Sequence, residues 1–420
     1  MPPAPATTLT FPLAAGIVRV LEEVLVQKRP ADRALERLFK EHAKWTPAQR
    51  GFVAGEAYAH LRAWRWHCHL AGLPDRRFLD PAFLTENRIW EAWAAGHFHR
   101  TGQAPSFREC AGFDEKAIRR RAAQEVPPAL RLSLTDWLYE LGRHDLGEAW
   151  PGLLGVLNEP APLFLRVQAL RTTPADLAAS LAADGFAAHV LTDPLTPAAL
   201  RLGGRHDVFG TAAFRDGLFE IQDAASQRIA PFLDLKPGQR VIDACAGAGG
   251  KTLHIATLLH NKGTVIALDT HPRKLEELRR RARRAALHNI QARLVEDAAT
   301  VKRLHGSADR VLIDAPCSGL GVLRRNPEIK WRLTPEDLER LHAIQSDLLE
   351  RYARLVKPGG KLVYATCSLL TGENRDRIDA FLAAHSEAWR LEDELVLLPQ
   401  SGGGDGFYAA RLVRGTDCPA

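Results

Sequence analysis

Two cysteines stand just after two short apolar runs of the sequence. Cys317 follows VLIDAP at residues 311–316, and Cys367 follows LVYAT at residues 362–366. If these runs are strands of one parallel sheet, both thiols open onto the same edge, where α/β proteins hold their ligands. The spacing therefore leaves two interpretations, a pair of packed thiols or a catalytic pair.

Paired thiols suit chemistry on an unreactive pyrimidine ring. A thiolate that adds to carbon 6 of cytosine makes carbon 5 able to attack an electrophilic methyl group, and elimination of the thiol then restores the ring. An acidic residue near ring nitrogen 3 offsets the charge that develops there on addition. Asp314, Cys317 and Cys367 supply these residue types at the ends of predicted strands. A single free cysteine is more often inert packing, so the pair carries this hypothesis.

A glycine-rich loop, DACAGAGGKT at residues 243–252, follows another apolar run. Its glycines allow the backbone to approach a ligand, and the predicted helix after it presents free amide N–H groups. A phosphate-binding P-loop requires glycine where Cys245 stands. A dinucleotide fingerprint requires glycine or alanine where Thr252 stands. Both nucleotide motifs fail by one residue, although a P-loop nucleotide triphosphatase that holds phosphate at Lys251 remains an alternative.

Three of the predicted strands end on an acidic residue. Asp269 lies twenty residues after Gly249, where a carboxylate can bind the two ribose hydroxyls of a nucleoside. Asp297 ends the next strand and could face the adenine, and Asp314 ends the one after it. A nucleoside held by glycines and acids, with no pyrophosphate to bind, matches S-adenosylmethionine. The pattern therefore predicts a cleft for this cofactor.

The elements that must position these groups lie in the second half of the chain. Residues 236–416 alternate strand-like runs with longer helical patterns, which predicts a mostly parallel, doubly wound, Rossmann-like sheet. One of the helices is predicted to open on Thr270, with Pro272 just inside it. The predicted fold class is α/β.

Two other regions precede that sheet. Residues 1–150 show helical periodicity, for example at Ile17, Val20 and Leu21, and predict an all-α domain without an evident catalytic cluster. Residues 151–235 follow a strand–helix–strand order and predict a small α/β subdomain.

Composition narrows the class of protein. The chain has 420 residues, enough for two or three domains, and its net charge of +6 is compatible with a nucleic-acid partner. Six cysteines in so long a chain argue against a disulfide framework and predict a reducing, cytoplasmic location. The first residues show no secretory signal, and no apolar run is long enough to cross a membrane.

A metal site is not predicted, although histidines cluster in the first region. His67 and His69 flank Cys68, and His97 and His99 follow. Adjacent residues on a helix point about 100° apart, so neighbouring side chains cannot converge on one ion. Packed or surface positions are the favoured interpretation.

Three motifs together resemble the Fmu/Sun/RsmB family of RNA cytosine-5 methyltransferases. They are DACAGAGGKT at 243–252, DAPCSGLGVLRRNPEIKWR at 314–332 and YATCSLLTGEN at 364–374. More weakly, ADRALERLF and RGFVAGEAYAHLR resemble the NusB-like helical domain of the family. The resemblance, closest to the bacterial 16S ribosomal RNA branch, implies a class I methyltransferase fold, S-adenosylmethionine as cofactor and RNA as partner. A monomer is expected.

The resemblance also implies roles for individual residues. Cys367 matches the cysteine that attacks the base, and Cys317 matches the one that helps to release the methylated product. Asp314 would lie between cofactor and cytosine. The implied cofactor-binding positions are Cys245, Ala246, Gly247, Ala248, Gly249, Gly250, Lys251, Asp269, Asp297 and Asp314. The family usually has proline where Ala248 stands, so a more flexible loop is predicted here.

Contacts to RNA are predicted in RRNPEIKW, the segment after Cys317. Arg324, Arg325 and Lys330 could hold phosphates, and Trp331 could pack or stack on a base. A basic run at 279–284 is interpreted first as a solvated helix face. Transfer RNA is the alternative substrate, and a non-catalytic RNA-binding ribosome assembly factor is the alternative class of protein.

Overall fold

A computed structural model describes residues 8–193, 196–204 and 207–416. The α-helices are α1 Phe11–Leu25, α2 Ala31–Glu41, α3 Pro47–Arg62, α4 Trp64–Ala71, α5 Glu86–Thr101, α6 Glu115–Ala122, α7 Pro128–Arg131, α8 Asp136–Leu146, α9 Trp150–Leu157, α10 Pro174–Ala183, α11 Ala212–Arg215, α12 Ala224–Gln227, α13 Ile229–Phe232, α14 Gly250–Leu258, α15 Pro272–Arg284, α16 Ala298–Lys302, α17 Ile329–Arg332, α18 Pro335–Ala353 and α19 Arg375–Ala384. The strands are β1 Phe164–Val167, β2 Ala188–Val190, β3 Ala199–Leu202, β4 Phe219–Ile221, β5 Arg240–Asp243, β6 Thr264–Asp269, β7 Ile290–Leu294, β8 Ala308–Asp314, β9 Val356–Thr366, β10 Trp389–Leu397 and β11 Phe407–Arg414.

The described residues form two compact units. The first, here called the helical unit, contains residues 8–160 together with a separate segment, Leu323–Thr334. The second, here called the sheet unit, contains Ala161–Val322 and residues 335–416. Among the described residues, no helix combines the length and the apolar character needed to span a bilayer.

The helical unit folds around α1, α3 and α5, whose apolar sides meet in one core. Thr46 caps α3: its hydroxyl accepts the backbone N–H of Gln49, and the Gln49 side chain accepts the N–H of Thr46. This reciprocal cap fixes where the helix begins. The predicted all-α character is confirmed for this part of the chain.

A segment from the second half of the sequence completes that core. Trp331, on α17, is buried with Trp64 and Trp90 in the same apolar cluster. Its indole N–H donates to the carbonyl oxygen of Leu61 at 2.7 Å. The helical unit is therefore built from two stretches of chain that lie far apart in the sequence.

A small antiparallel sheet opens the sheet unit, with the strand order β2-β3-β1-β4. Helix α10 packs on it, and the apolar core between them includes Leu165 and Leu177. The strand–helix–strand order was predicted from the sequence, whereas β3 and β4 were not.

The larger sheet has the order β10-β11-β9-β8-β5-β6-β7. Strands β5 to β9 pair in parallel, and the β10–β11 hairpin adds antiparallel strands at one edge. Helices cover both faces over two apolar cores. The order reverses between β5 and β8, so the carboxyl ends of these strands frame the crevice where such sheets bind ligands. The predicted doubly wound, Rossmann-like sheet is confirmed.

Local boundaries differ from the sequence-based expectations in a few places. Helix α15 begins at Pro272 with His271, rather than Thr270, at its cap position. Residue 151, the predicted start of the α/β subdomain, lies inside α9, and the helical unit continues to Pro160. The three-domain division itself stays a prediction.

Candidate active site

Strands β8 and β9 bring the two cysteines together. These strands pair in parallel, with Asp314 opposite Ala365, so their carboxyl ends lie at one edge. Just beyond that edge the sulfur atoms of Cys317 and Cys367 lie 3.4 Å apart, and both side chains are partly exposed. The contact with Cys367, followed by burial, raises the pKa of Cys317. Cys317 is therefore held as a neutral thiol against the other sulfur.

Backbone hydrogen bonds tie the two thiol loops to each other. The N–H of Gly321 donates to the carbonyl oxygen of Cys367 at 2.9 Å, and the N–H of Gly406 donates to Gly321 at 2.9 Å. A Cβ atom added at Gly321 would lie 2.3 Å from the carbonyl oxygen of Gly406. Glycine is required at 321 because the three chain segments approach too closely for a side chain.

Lys251, from the glycine loop, forms an ion pair with Asp314. Its Nζ donates to Asp314 Oδ2 at 2.6 Å and lies 5.3 Å from the centre of the Phe407 ring. Burial lowers the pKa of Lys251, but attraction to Asp314, with a smaller contribution from Cys367, outweighs it and raises the pKa overall. Lys251 therefore places a positive charge near both the acid and the thiols.

The glycine loop runs from the end of β5 into α14. Gly247 and Gly249 both have positive φ angles, +55° and +90°, which glycine adopts at little cost. The N–H of Gly247 donates to Asp269 Oδ2 at 2.9 Å. At the base of the loop, Thr252 donates to the buried carboxyl of Asp243 at 2.6 Å. Burial raises the pKa of Asp243 to about 7.

The small sheet supports this loop from outside. Arg166, on β1, donates to the carbonyl oxygen of Gly250 at 2.6 Å. Arg281 donates to the carbonyl oxygen of Ala248 at 2.7 Å and pairs with Glu220, on β4, at 2.9 Å. An arginine thus holds the carbonyl group of Ala248, the position where greater flexibility was predicted.

Asp269 and Asp297 have different surroundings. Asp269 accepts the N–H of Gly247 on Oδ2 and the N–H of His271 on Oδ1, and Nδ1 of His271 also lies 3.2 Å from Oδ1, so Oδ2 keeps a lone pair for a ligand. Asp297 is exposed and caps α16 by accepting the N–H of Thr300 at 2.9 Å, and this bond lowers its pKa. Asp297 therefore acts as a helix cap in this structure, and its contact with the cofactor stays a prediction.

The space around the predicted cofactor positions bears on their fit to S-adenosylmethionine. Nothing lies within 4 Å of a Cβ atom added at Gly247, so the loop has open space beside it. A cavity of about 620 Å³ adjoins the ends of β6 and β7, with Thr270, Val295 and Asp297 in its wall. Its volume lies in the range of small-molecule sites. The loop, the remaining acceptor site on Asp269 Oδ2 and this cavity are compatible with a nucleoside.

Cys245 and Ala246 lie on the inner side of the loop. Ala246 is buried, and its N–H donates to Leu268 at 2.9 Å. Cys245 packs against an apolar core, and burial raises its pKa strongly. A thiol in this state is a poor nucleophile.

Burial contradicts the predicted RNA contacts of Arg324 and Lys330, whereas Trp331 packs in a core, which was one of its two predicted roles. Arg324 and Lys330 are 0% exposed and Trp331 is 3% exposed. The Lys330 ammonium donates to the carbonyl oxygens of Arg62 and Ser133 at 3.0 and 3.2 Å. It also donates to Asn158 Oδ1. Side chains enclosed in this way cannot reach a phosphate or a base.

Arg325 is partly exposed, and its predicted RNA contact stays a prediction. The sequence pattern misled because RRNPEIKW has the composition of a basic RNA-binding loop. Its mixture of charged and apolar residues is equally compatible with a segment that packs into a hydrophobic core, and no local sequence feature distinguishes the two cases.

The clustered histidines do not converge on a common point. A ring nitrogen of His67 lies 3.0 Å from one of His60, whereas His69 contacts the carbonyl oxygen of Arg121 at 3.3 Å. Within the described ranges, no group of three or more His, Cys, Asp or Glu side chains has the arrangement of a metal site.

Three site contacts were not found by sequence reasoning. They are the Lys251–Asp314 ion pair, the support of the glycine loop by Arg166 and Arg281, and the buried Glu373 behind the thiols. Glu373 lies in the quoted motif YATCSLLTGEN, so the motif itself was a signal. The others join residues more than 30 positions apart and had no signal in a single sequence.

Known proteins resemble the chain over most of its length. A family model described as 16S rRNA methyltransferase RsmB/F matches residues 230–413. A second, described as an RsmF/B-like ferredoxin-like domain, matches residues 134–209.

Two curated relatives and one solved structure show how far the similarity extends. The probable ribosomal RNA small subunit methyltransferase B of Synechocystis sp. is 36% identical over 303 residues, which cover 67% of each chain. The ribosomal RNA small subunit methyltransferase B of Xanthomonas campestris pv. campestris is 37% identical over 312 residues, or 71% of each chain. The crystal structure of PH0851 is 25% identical, with a TM-score of 0.78 over 97% of this chain and 100% of that one.

Proposed function

The chain belongs to the RsmB/F family of 16S rRNA methyltransferases, and from this membership we propose that it methylates carbon 5 of a cytosine in small-subunit ribosomal RNA. The observation that carries the proposal is the meeting of Cys317 and Cys367, with their sulfur atoms 3.4 Å apart at a sheet edge. Two thiols at that distance match a reaction in which one attacks the ring and the other assists release. S-adenosylmethionine, when bound, supplies the electrophilic methyl group.

Cys367 is proposed to attack carbon 6 of the cytosine and to form a covalent bond to it. The positive charge of Lys251 lies close enough to this sulfur for their attraction to contribute to the raised pKa of the lysine. Negative charge develops at ring nitrogen 3 during the addition. In the Lys251–Asp314 pair, the ammonium group of Lys251 lies beside the carboxylate and can offset this charge. We assign charge compensation during the addition to this pair.

Cys317 is proposed to assist the second half of the reaction. After carbon 5 has gained the methyl group, a base removes the proton from that carbon. The bond between Cys367 and carbon 6 then breaks, and its electron pair returns to the sulfur. Because Cys317 is held as a thiol, it can donate to the departing sulfur and stabilise the thiolate.

The cofactor is proposed to bind at the glycine loop and the strand ends beside it. Gly247 and Gly249 provide the close backbone approach, and Asp269 has acceptor sites for the ribose hydroxyls. The target cytosine must leave its base stack to reach the thiols, which favours a loop or a splayed base in the RNA.

The test is to trap the covalent adduct. A Cys317→Ala variant, expressed in cells, should still attack the base but release it poorly, so RNA should remain bound through denaturing purification. Sequencing the bound RNA identifies the substrate and the base, and Cys367→Ala added to the same chain should abolish the adduct. Cys110→Ala is the matched control, because Cys110 is buried in the helical unit and should trap no RNA.

Each result decides between the proposals. Methylation by the wild type without an adduct in Cys317→Ala would overturn the assignment of Cys317 to release. Bound transfer RNA would replace ribosomal RNA as substrate. RNA binding that survives alanine at both cysteines, with no methylation by the wild type, would favour an assembly factor. A nucleotide triphosphatase is not proposed, because both matching family models describe methyltransferases.

A further inference from the structure

A fully buried carboxylate lies directly behind the two thiols. Glu373 ends a short 3-10 helix, Thr371–Glu373, six residues after Cys367, and its side chain is 0% exposed. The proposed reaction does not use it, so its position needs another explanation.

Glu373 contacts both cysteine loops at once. Ser318, the residue after Cys317, donates to the carboxylate through its backbone N–H at 2.7 Å and through its hydroxyl at 2.5 Å. Ser368, the residue after Cys367, donates its hydroxyl to the same carboxylate. One carboxylate thus binds the neighbour of each thiol.

The two serines have the same arrangement. Each hydroxyl donates to Glu373 and accepts a backbone N–H from two residues further on, Leu320 for Ser318 and Leu370 for Ser368. The two hydroxyl oxygens lie 3.2 Å apart. Equivalent hydrogen bonds to one carboxylate therefore hold together the loops that carry Cys317 and Cys367.

Other contacts fix the carboxylate itself. Gln345, on α18, donates to Glu373 at 3.0 Å and to the carbonyl oxygen of Pro316, which precedes Cys317, at 3.0 Å. Tyr364, on β9, donates its hydroxyl to the backbone oxygen of Glu373 at 2.7 Å. The carboxylate accepts hydrogen bonds from neutral groups of Ser318, Ser368 and Gln345, enough to fill its acceptor sites.

We propose that Glu373 is a positioning residue that holds Cys317 and Cys367 in register for the two halves of the reaction. The role in catalysis rests on the proposed function, whereas the geometric role does not. Loss of the anion leaves Ser318 and Ser368 without their shared partner, so the loops separate and the sulfur atoms lose their contact. The negative charge of Glu373 also contributes to the raised pKa of Cys317, which keeps that residue protonated.

The first test does not depend on RNA or on cofactor. Oxidised glutathione converts two adjacent thiols into a disulfide and releases two molecules of reduced glutathione. The Cys317–Cys367 disulfide, identified as a cross-linked peptide by mass spectrometry, should need at least tenfold more oxidant in Glu373→Gln than in the wild type. Glu23→Gln is the matched control, because Glu23 is a buried carboxylate of the helical unit paired with Arg29, and it should behave as the wild type.

The second test separates positioning from general loosening. Alkylation of Cys317 by iodoacetamide is followed against pH, and its midpoint should move to lower pH in Glu373→Gln, because the contact with Cys367 and the repulsive charge of Glu373 are both lost. General loosening of the protein would also raise the alkylation rate of the buried Cys110, which positioning alone leaves unchanged. For methyl transfer, kcat should fall at least 100-fold, with KM for S-adenosylmethionine within threefold of the wild type.

Ser368→Ala keeps the proposal testable if Glu373→Gln does not fold. This variant removes one donor and leaves the carboxylate, so it should show the same changes to a smaller degree, and its effect should not add to that of Glu373→Gln. Wild-type disulfide formation and kcat in either folded variant would overturn the proposal. If the wild type methylates no RNA, the proposed function fails, while the disulfide and alkylation results still decide the role of Glu373.

Discussion

Glu373 in the sheet unit and Lys330 in the helical unit both have ionisable side chains, and both are 0% exposed. The donors to Glu373 come from the loops around the two thiols and from Gln345, whereas the acceptors for Lys330 are two backbone carbonyl oxygens and one side-chain amide oxygen of the helical unit. Burying a charge is costly unless hydrogen bonds replace the lost water. In the sheet unit a buried ionisable side chain sets the geometry of a site, whereas in the helical unit one anchors the segment Leu323–Thr334.

The difference predicts that the two regions respond separately to mutation. Changes around Lys330 should reduce the stability of the helical unit. Changes around Glu373 should reduce the proposed methyl transfer by more than their effect on stability suggests. Four predictions test this separation, in decreasing order of their expected effect on stability.

Trp331→Ala should have the largest effect. It removes a buried indole from the core of the helical unit, together with the hydrogen bond to Leu61, and should cost about 4 kcal/mol. Hydrogen exchange measured by mass spectrometry should show faster exchange in α1 and α3 and little change in β5 and β8. Trp389→Ala, a buried tryptophan of the sheet unit, is the control and should give the opposite pattern. Equally faster hydrogen exchange in both units, in either variant, would contradict the prediction that the two units respond separately to mutation.

Lys330→Met should come next, because it removes the ammonium group that donates to buried oxygen atoms of Arg62, Ser133 and Asn158, at a cost of about 3 kcal/mol. Burial lowers the pKa of Lys330 in the folded protein. Between that pKa and 10.5 the unfolded chain binds more protons than the folded one, so this residue makes the wild type more stable as pH rises.

Urea titrations at pH 7 and pH 9.5 measure this contribution. The stability deficit of Lys330→Met relative to the wild type should be larger at pH 9.5. Lys116→Met, at an exposed position of α6, should show no such change between the two pH values. A deficit that shrinks with pH would show that the lysine is not destabilised by its burial.

Gly321→Ala tests the thiol region through the backbone. The added methyl group would lie 2.3 Å from the carbonyl oxygen of Gly406 and 2.8 Å from that of Cys367, so the loops must move, at a cost of about 2 kcal/mol. Methyl transfer should fall by at least 100-fold in folded protein. Gly155→Ala, where the methyl group meets nothing within 4 Å, should retain full activity. Retained activity in Gly321→Ala would mean that the loop spacing is not critical.

Two threonine variants, one in each unit, should have the smallest effects on stability and should give the most direct comparison of the two units. Thr46→Ala removes the cap of α3, and Thr366→Val removes the buried hydroxyl that bonds Asn374, each at about 1 kcal/mol. Thermal melts should show similar losses in the two variants. Methyl transfer should drop about tenfold in Thr366→Val, because the strand end beside Cys367 shifts, and should not change in Thr46→Ala. Equal activities would contradict the separation.

Much of the site could be predicted because its determinants are local. Each catalytic candidate directly follows a run of strand-forming residues, so the positions of Asp314, Cys317 and Cys367 at strand ends could be inferred from the pattern of apolar residues. Parallel strands place such ends at one edge, and the alternation of strand and helix indicated the parallel sheet. The meeting of the two thiols followed from these two local facts.

The failures have a common physical cause. Lys330 was assigned to RNA from its type and neighbours, and Trp331 was predicted to pack or stack, yet their partners lie 172 to 270 positions away in the sequence. The contacts of Glu373 with Ser318 and of Lys251 with Asp314 span 55 and 63 positions. Nothing in the local sequence says which distant atoms will enclose a polar side chain.

The amino-acid sequence by itself determined the element types, the glycine loop and the chemistry-bearing residues at the ends of the strands, because periodicity and turn chemistry act over a few residues. The tertiary structure decided which charges became buried and what they bind. That choice depends on the chain topology, since a buried charge is tolerated only where folding brings enough donors or acceptors to it. Glu373 contacts two serines beside the thiols, and Lys330 contacts the carbonyl oxygens of Arg62 and Ser133 and the side chain of Asn158, so two buried ionisable side chains support different parts of the molecule.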